Sequence, residues 1–129
     1  MDLEIKIQEA KPHNFTVILK GRLDSETHRL FDDRIKLLHE KKAKNVLINM
    51  AGVSYISSAG LGSIFQLMKK TRENGGELLL CNLQPQIKKV FEIIKALPTT
   101  SIFASIEEAD KYLDVIMKNE LEGDKGHAA

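Results

Sequence analysis

The stretch from Asn45 to Asn74, NVLINMAGVSYISSAGLGSIFQLMKKTREN, constrains the fold more than any other. Val46, Leu47, Ile48 and Met50 form a nearly continuous apolar run, the pattern of a strand covered on both faces. Gly52 and Ser54 loosen the chain, and Val53, Tyr55 and Ile56 anchor its approach to a turn of small residues, Ser57-Ser58-Ala59-Gly60-Leu61-Gly62. From about Ser58, the spacing of Leu61, Ile64, Phe65 and Met68 predicts a helix with one apolar face. Asn74-Gly75-Gly76 stops that helix, because these residues enter left-handed conformations at little cost. A second buried-type strand follows from Glu77 to Asn82. Strand, helix and strand in this succession ask for a right-handed parallel crossover.

The rest of the chain builds around that unit. Leu3, Ile5 and Ile7 alternate with polar residues, as do Phe15, Val17 and Leu19, and Lys11 to Asn14 forms a turn between them. The period of two predicts an antiparallel hairpin. Asp24 or Ser25 is placed to cap a first helix carrying Leu30, Phe31, Ile35, Leu37 and Leu38, with Lys41, Lys42 and Lys44 at its solvated, cation-favouring end. Pro85 opens another helix with Ile87, Val90, Phe91 and Ile94 inward, and Leu97-Pro98 ends it. Ile102 and Phe103 make a short last strand. Ser105 and Glu108 form a capping box ahead of a final helix marked by Ala109, Tyr112, Leu113 and Ile116. The fold class is therefore α/β: a small mixed sheet, an N-terminal antiparallel hairpin followed by parallel strands, with about four helices. The domain is expected over residues 1–118, and residues 119–129 read as a polar, disordered tail.

Composition removes several functions. The formal net charge is +1 and the chain has no Trp, which argues against nucleic-acid binding by bulk charge or base stacking. Cys81 is the lone cysteine and reads as a small core residue in a reducing compartment. No apolar run is long enough to span a bilayer and no signal peptide is visible, so a cytoplasmic protein is expected. His13, His28, His39 and His127 are scattered, without metal-ligand spacing. Gly60 and Gly62 follow a strand, but Phe65 stands where a dinucleotide fingerprint needs a small residue. No G-x-S-x-G elbow is present, and Asp24, Asp32 and Asp33 read as a cap and an exposed helix face. The expectation is a non-enzyme without cofactor or metal. Free strand edges leave room for a weak homodimer.

One constellation remains. A helix N-terminus presents unpaired N–H groups and favours an anion. Either Ser57 or Ser58 serves as the N-cap there. A phosphate on Ser58 would add about two negative charges that the helix tolerates, while a partner packed over the neutral hydroxyl would be expelled by bulk and desolvated charge.

With those residues in hand, the chain resembles the anti-sigma factor antagonist family, the STAS domain. Gly21-Arg22-Leu23-Asp24 is similar to its G-x-L-D segment, Val46 to Leu61 to its strand and D-S-[ST]-G-L-G loop, Gly75 to Asn82 to its G-G-x-hydrophobic strand, and Ser105 to Ala109 to its S-x-E-E-A helix start. The resemblance implies helices packed mainly on one face of the sheet and a phosphoacceptor at Ser58. It also implies an unphosphorylated protein that binds an anti-sigma factor, often a GHKL-type serine kinase using ATP and magnesium, and so frees a sigma factor. A PP2C-type phosphatase would reset the switch. By the same resemblance, Asp24, Ser57, Ser58, Ala59, Gly60 and Leu61 form the partner surface. Ser57 stands where the family usually has an acidic residue, and Ala59 where it often has a second hydroxyl. The missing carboxylate removes a charge that would orient the Ser58 hydroxyl or aid partner recognition and lowers like-charge repulsion against a phosphate; Ser57 is an alternative acceptor. The rival role is a STAS subunit of another complex, in lipid transport or stress signalling, without phosphorylation control.

Overall fold

The computed structural model describes residues 3–94 and 102–127. In chain order the elements are β1 (Leu3–Lys11), β2 (Asn14–Leu23), α1 (His28–Glu40), β3 (Asn45–Ile56), α2 (Ser58–Glu73), β4 (Leu78–Cys81), α3 (Pro85–Ile94), β5 (Ile102–Phe103) and α4 (Ile106–His127). The five strands lie side by side in sequence order. β1 and β2 pair antiparallel, and β2, β3, β4 and β5 run parallel to their neighbours. The expected hairpin and the parallel crossovers are both present. The Leu97-Pro98 helix stop lies outside the described residues.

Period-two alternation decides which side chains meet. Leu3 and Ile5 of β1, Phe15, Val17 and Leu19 of β2, and Val46, Ile48 and Met50 of β3 pack with Phe31 and Ile35 of α1, Ile64 and Leu67 of α2, and Ile87 and Phe91 of α3. The opposite face of β3 and β4 presents Leu47, Leu79 and Cys81, which pack with Ala109 and the half-buried Phe103, Tyr112 and Leu113. Thus α1, α2 and α3 cover one face and α4 covers part of the other. Strands whose every residue is buried, such as Leu78–Cys81, need that second cover.

Two features of β3 differ from the expectation. The strand does not loosen at Gly52 but continues to Ile56. Its register against β2 slips by one residue between Ile18 and Lys20 and again between Gly21 and Arg22, so the chain absorbs its irregularity as bulges and keeps its pairing. A Cβ at Gly52 would sit 3.0 Å from the Leu19 carbonyl oxygen, which is why a residue without one allows the strands to stay paired. β3 also outruns β4, which pairs with it only over Val46 to Asn49. Beyond that point glutamine amides take the place of a neighbouring strand. Gln84 Nε2 donates to the Ala51 carbonyl at 2.9 Å and Gln86 Nε2 to the Ser54 carbonyl at 3.2 Å.

The Ser105 cap at α4 is formed, with Glu108 N donating to Ser105 Oγ at 3.2 Å; Glu108 reaches back as expected, but its Oε2 accepts from Ala104 N at 3.1 Å, one residue before the cap. α4 runs on through residues 119–127 and ends at His127. Glu120, Leu121, Glu122 and Lys125 are good helix formers, which offsets the cost of Gly123 and Gly126.

Candidate functional site

The long strand β3 delivers the chain to the first turn of α2. Ser57 is extended (φ −99°, ψ 174°) and is the N-cap; its hydroxyl accepts from Gly60 N at 3.3 Å. Its own N–H donates to the Leu23 carbonyl at 2.9 Å, tying the turn to the end of β2. Ser58 is the first helical residue and is exposed, and no hydrogen bond engages its hydroxyl among the described residues. The two serines left open by spacing therefore divide the work: one caps and one is displayed.

Ala59 is half-buried, while Gly60 is buried. A Cβ on Gly60 would lie 2.4 Å from the Leu23 carbonyl oxygen and 2.9 Å from Leu23 Cγ, so only glycine lets α2 start this close to β2. Leu61, placed by resemblance in the partner surface, is only 8% exposed and belongs to the core. Gly60 and Leu61 hold the turn in place from beneath, and Ser58 and part of Ala59 face outward.

Across from this turn, Asp24 does not cap α1. The N-cap is Thr27, whose side chain makes no capping bond. Ser25, the other expected cap, is exposed. Asp24 instead closes the preceding turn: its Oδ1 accepts from Glu26 N at 3.0 Å and Thr27 N at 3.1 Å. Thr27 Oγ1 accepts from Asp24 N at 2.9 Å and donates to the Arg22 carbonyl at 2.7 Å. Helix propensity alone could not distinguish a cap from a turn three residues earlier. Partial desolvation pushes the Asp24 carboxyl upward, but donors from Thr27, Glu26 and Arg22 outweigh it and hold the acid below its ordinary value. Asp24 is thus a fixed carboxylate.

Arg22 and Tyr55, which the sequence pattern does not place among the candidate site residues, lie beside Asp24. The Arg22 guanidinium lies 4.6 Å from the centre of the Tyr55 ring, and its Nε is 3.4 Å from Asp24 Oδ2. Tyr55 is 44% exposed. The signal was the pairing of Arg22↔Tyr55 across the bulged end of β2 and β3, which needs the register to be known. Arg22, Asp24, Ser25, Glu26, Tyr55 and Ser57 line an open polar cavity of about 410 Å³. It offers fixed charge of both signs and one aromatic face, suited to docking a complementary protein surface.

Among the described residues, one grouping imitates a catalytic relay: His28, Asp32 and Ser63. His28 Nδ1 is 3.4 Å from Asp32 Oδ2 and 3.5 Å from Ser63 Oγ. Both contacts use the same ring nitrogen, so the imidazole cannot pass a proton from one partner to the other. Cys81 is buried, and burial with Asp110 and Glu107 nearby pushes its thiol up to about 11, the opposite of a reactive cysteine. Among the described residues no helix is long and apolar enough to cross a membrane.

The family model of the STAS domain matches residues 5–109. The anti-sigma-B factor antagonist of Listeria monocytogenes is 27% identical over 93 residues, covering 72% of this chain and 82% of that protein. BtrV of Bordetella bronchiseptica, provisionally named an anti-sigma factor antagonist, is 33% identical over 75 residues, 58% of this chain and 65% of its own length. Among solved structures, the anti-sigma factor antagonist SpoIIAA in its unphosphorylated form superposes with a TM-score of 0.74 at 20% identity, covering 86% of this chain and 96% of that one.

Proposed function

The chain belongs to the STAS domain family, and from that premise we propose that it is a non-catalytic anti-sigma factor antagonist controlled at Ser58. In its unphosphorylated state it binds an anti-sigma factor and so frees a sigma factor. The anti-sigma factor is a serine kinase of the GHKL type, which transfers phosphate to Ser58 from ATP, and a PP2C-type phosphatase removes it. The docking surface is Asp24, Ser57, Ser58 and Ala59, joined by Arg22 and Tyr55, with Gly60 and Leu61 supporting it from below.

The single observation that carries this reading is the exposed, unengaged hydroxyl of Ser58 on the first turn of α2, beside a neighbour that already supplies the cap. A hydroxyl in that position is reachable by another protein's active site. Its phosphate would meet the favourable end of the helix dipole, so α2 stays folded. A closely packed partner would instead face buried double-negative charge and would be released. Ser57, the alternative acceptor, is disfavoured because phosphorylation there would consume the capping oxygen.

The test is incubation with the cognate kinase and ATP, followed by intact mass and by binding of Ser58→Asp. One added phosphate located on Ser58, with the Asp variant binding the kinase at least tenfold more weakly, is the expected result. No phosphate, together with wild-type binding by Ser58→Asp, would overturn the switch.

A further inference from the structure

We infer that β1 is a self-complementary edge along which two copies of this chain pair antiparallel about Ile5. β1 stands first in the sheet and, among the described residues, pairs with β2 alone, so the outer row of its backbone groups faces away from the sheet. Such a row is a template for another strand unless it is blunted. β1 keeps its sheet face ordered: Leu3 and Ile5 are buried in the core, Ile7 packs against it, and Glu4, Lys6 and Gln8 lie exposed on the other face.

The sequence restricts which register two such strands can take. Directly opposed residues in an antiparallel pair share a face, and like charges opposite each other are destabilising. Centring the pair on Glu4 opposes Glu4 to itself, and centring it on Lys6 opposes Lys6 to itself. Centring it on Ile7 brings Ile5 against Glu9 and leaves Glu4 and Lys6 facing the uncharged Ala10 and Gln8. Centring it on Ile5 places Glu4 against Lys6 of the second copy, and Leu3 against Ile7 of the second copy; the two-fold axis repeats both pairs. That register alone matches charge with opposite charge and apolar with apolar. A shift by one residue would put each core face against the other copy's solvent face. The axis then stands perpendicular to the sheet, and each copy's core face continues the other's.

The contact is small. Stable interfaces bury on the order of 1,600 Å², more than one short strand edge provides, so the dimer is weak and concentration-dependent. It uses neither α2 nor the turn at Ser58, so the state of Ser58 does not control it.

The experiment is sedimentation velocity on the full chain over a concentration series, with Glu4→Lys, Lys6→Glu, and the two single variants mixed. Wild type should shift toward dimer as concentration rises. Each single variant opposes like charges twice and should dimerise at least tenfold more weakly. Mixed in equal amounts, they should form a heterodimer, since the strand made doubly basic by Glu4→Lys then meets the strand made doubly acidic by Lys6→Glu. Glu4 lies opposite Lys20 in the hairpin, so Glu4→Lys carries a folding risk; Lys6 faces Ile18, and Lys6→Glu stands as an independent arm. A wild type that stays monomeric at every concentration, or single variants that dimerise like wild type, or a mixture that gains no heterodimer, would each overturn the inference.

Discussion

The Ser57 hydroxyl accepts a hydrogen bond from Gly60 N at 3.3 Å, and this contact separates two adjacent serines into different tasks. Ser57→Ala should cost about 1 kcal/mol of stability, the usual effect of deleting a hydroxyl cap. Ser57→Asp should recover most of it, because a carboxylate caps as well. Ser58→Ala should leave the unfolding free energy within about 0.5 kcal/mol of wild type, as for most exposed substitutions, while abolishing phosphate uptake. Urea denaturation of the three variants checks the stability order.

Two glycines on the same helix turn should behave oppositely. Gly60→Ala drives a Cβ to 2.4 Å from the Leu23 carbonyl oxygen, a backbone atom that cannot rotate away. A loss of about 1–3 kcal/mol is expected from overpacking, and α2 should shift away from the Asp24 turn. A Cβ at Gly62 meets nothing within 4 Å. Gly62→Ala should therefore stabilise the fold by about 0.5–1 kcal/mol, the helical preference of alanine over glycine. Thermal melts of both variants decide this, and equal destabilisation would contradict the packing assigned to Gly60.

Local rules made most of the fold legible. Alternation at Leu3, Ile5 and Ile7 marked the hairpin, the unbroken run Leu78–Cys81 marked a strand covered twice, and Ser105 with Glu108 marked a cap that is formed. What escaped depended on distance. Asp24 and Thr27 are both good caps, and it is the set of bonds among Asp24, Glu26, Thr27 and the Arg22 carbonyl that puts a turn before the helix. Gly52 reads as a loosening of the chain because a glycine weakens a strand; the pairing with β2 does slip there, and the closeness of Leu19 and Lys20 explains why the strand continues through a residue without a side chain. At the site, Ser58 could be read from small residues at a helix start. Tyr55 and Arg22 could not, because two bulges decide that they face each other.

Stability should fall on mild acidification through His39. Burial holds its imidazole below the ordinary value of 6.5, the Lys70 charge adds to that, and Glu40 opposes it. The unfolded chain thus takes up the proton at a higher pH than the folded one. His39 contributes stability fully above pH 6.5, and that contribution is lost as pH falls toward the lower, folded value. Replacing it, as His39→Gln, should flatten the dependence of the denaturation midpoint just below pH 6.5. An unchanged slope would mean that another group carries the effect.

The glutamines that stand in for a missing strand should control local motion more than global stability. Gln84 and Gln86 satisfy the Ala51 and Ser54 carbonyls on the part of β3 that extends past β4. Water can replace an exposed donor, so losing both amides in a Gln84→Ala, Gln86→Ala variant should cost less than about 1 kcal/mol overall. The strand end they steady leads directly into Ser57 and Ser58, and it would then be held chiefly by its pairing with β2. Amide hydrogen exchange should accelerate several-fold over Tyr55 to Ser58, with the melting temperature nearly unchanged, because local opening can be eased without easing global unfolding. A uniform acceleration across the sheet would show instead that the two amides support the whole fold.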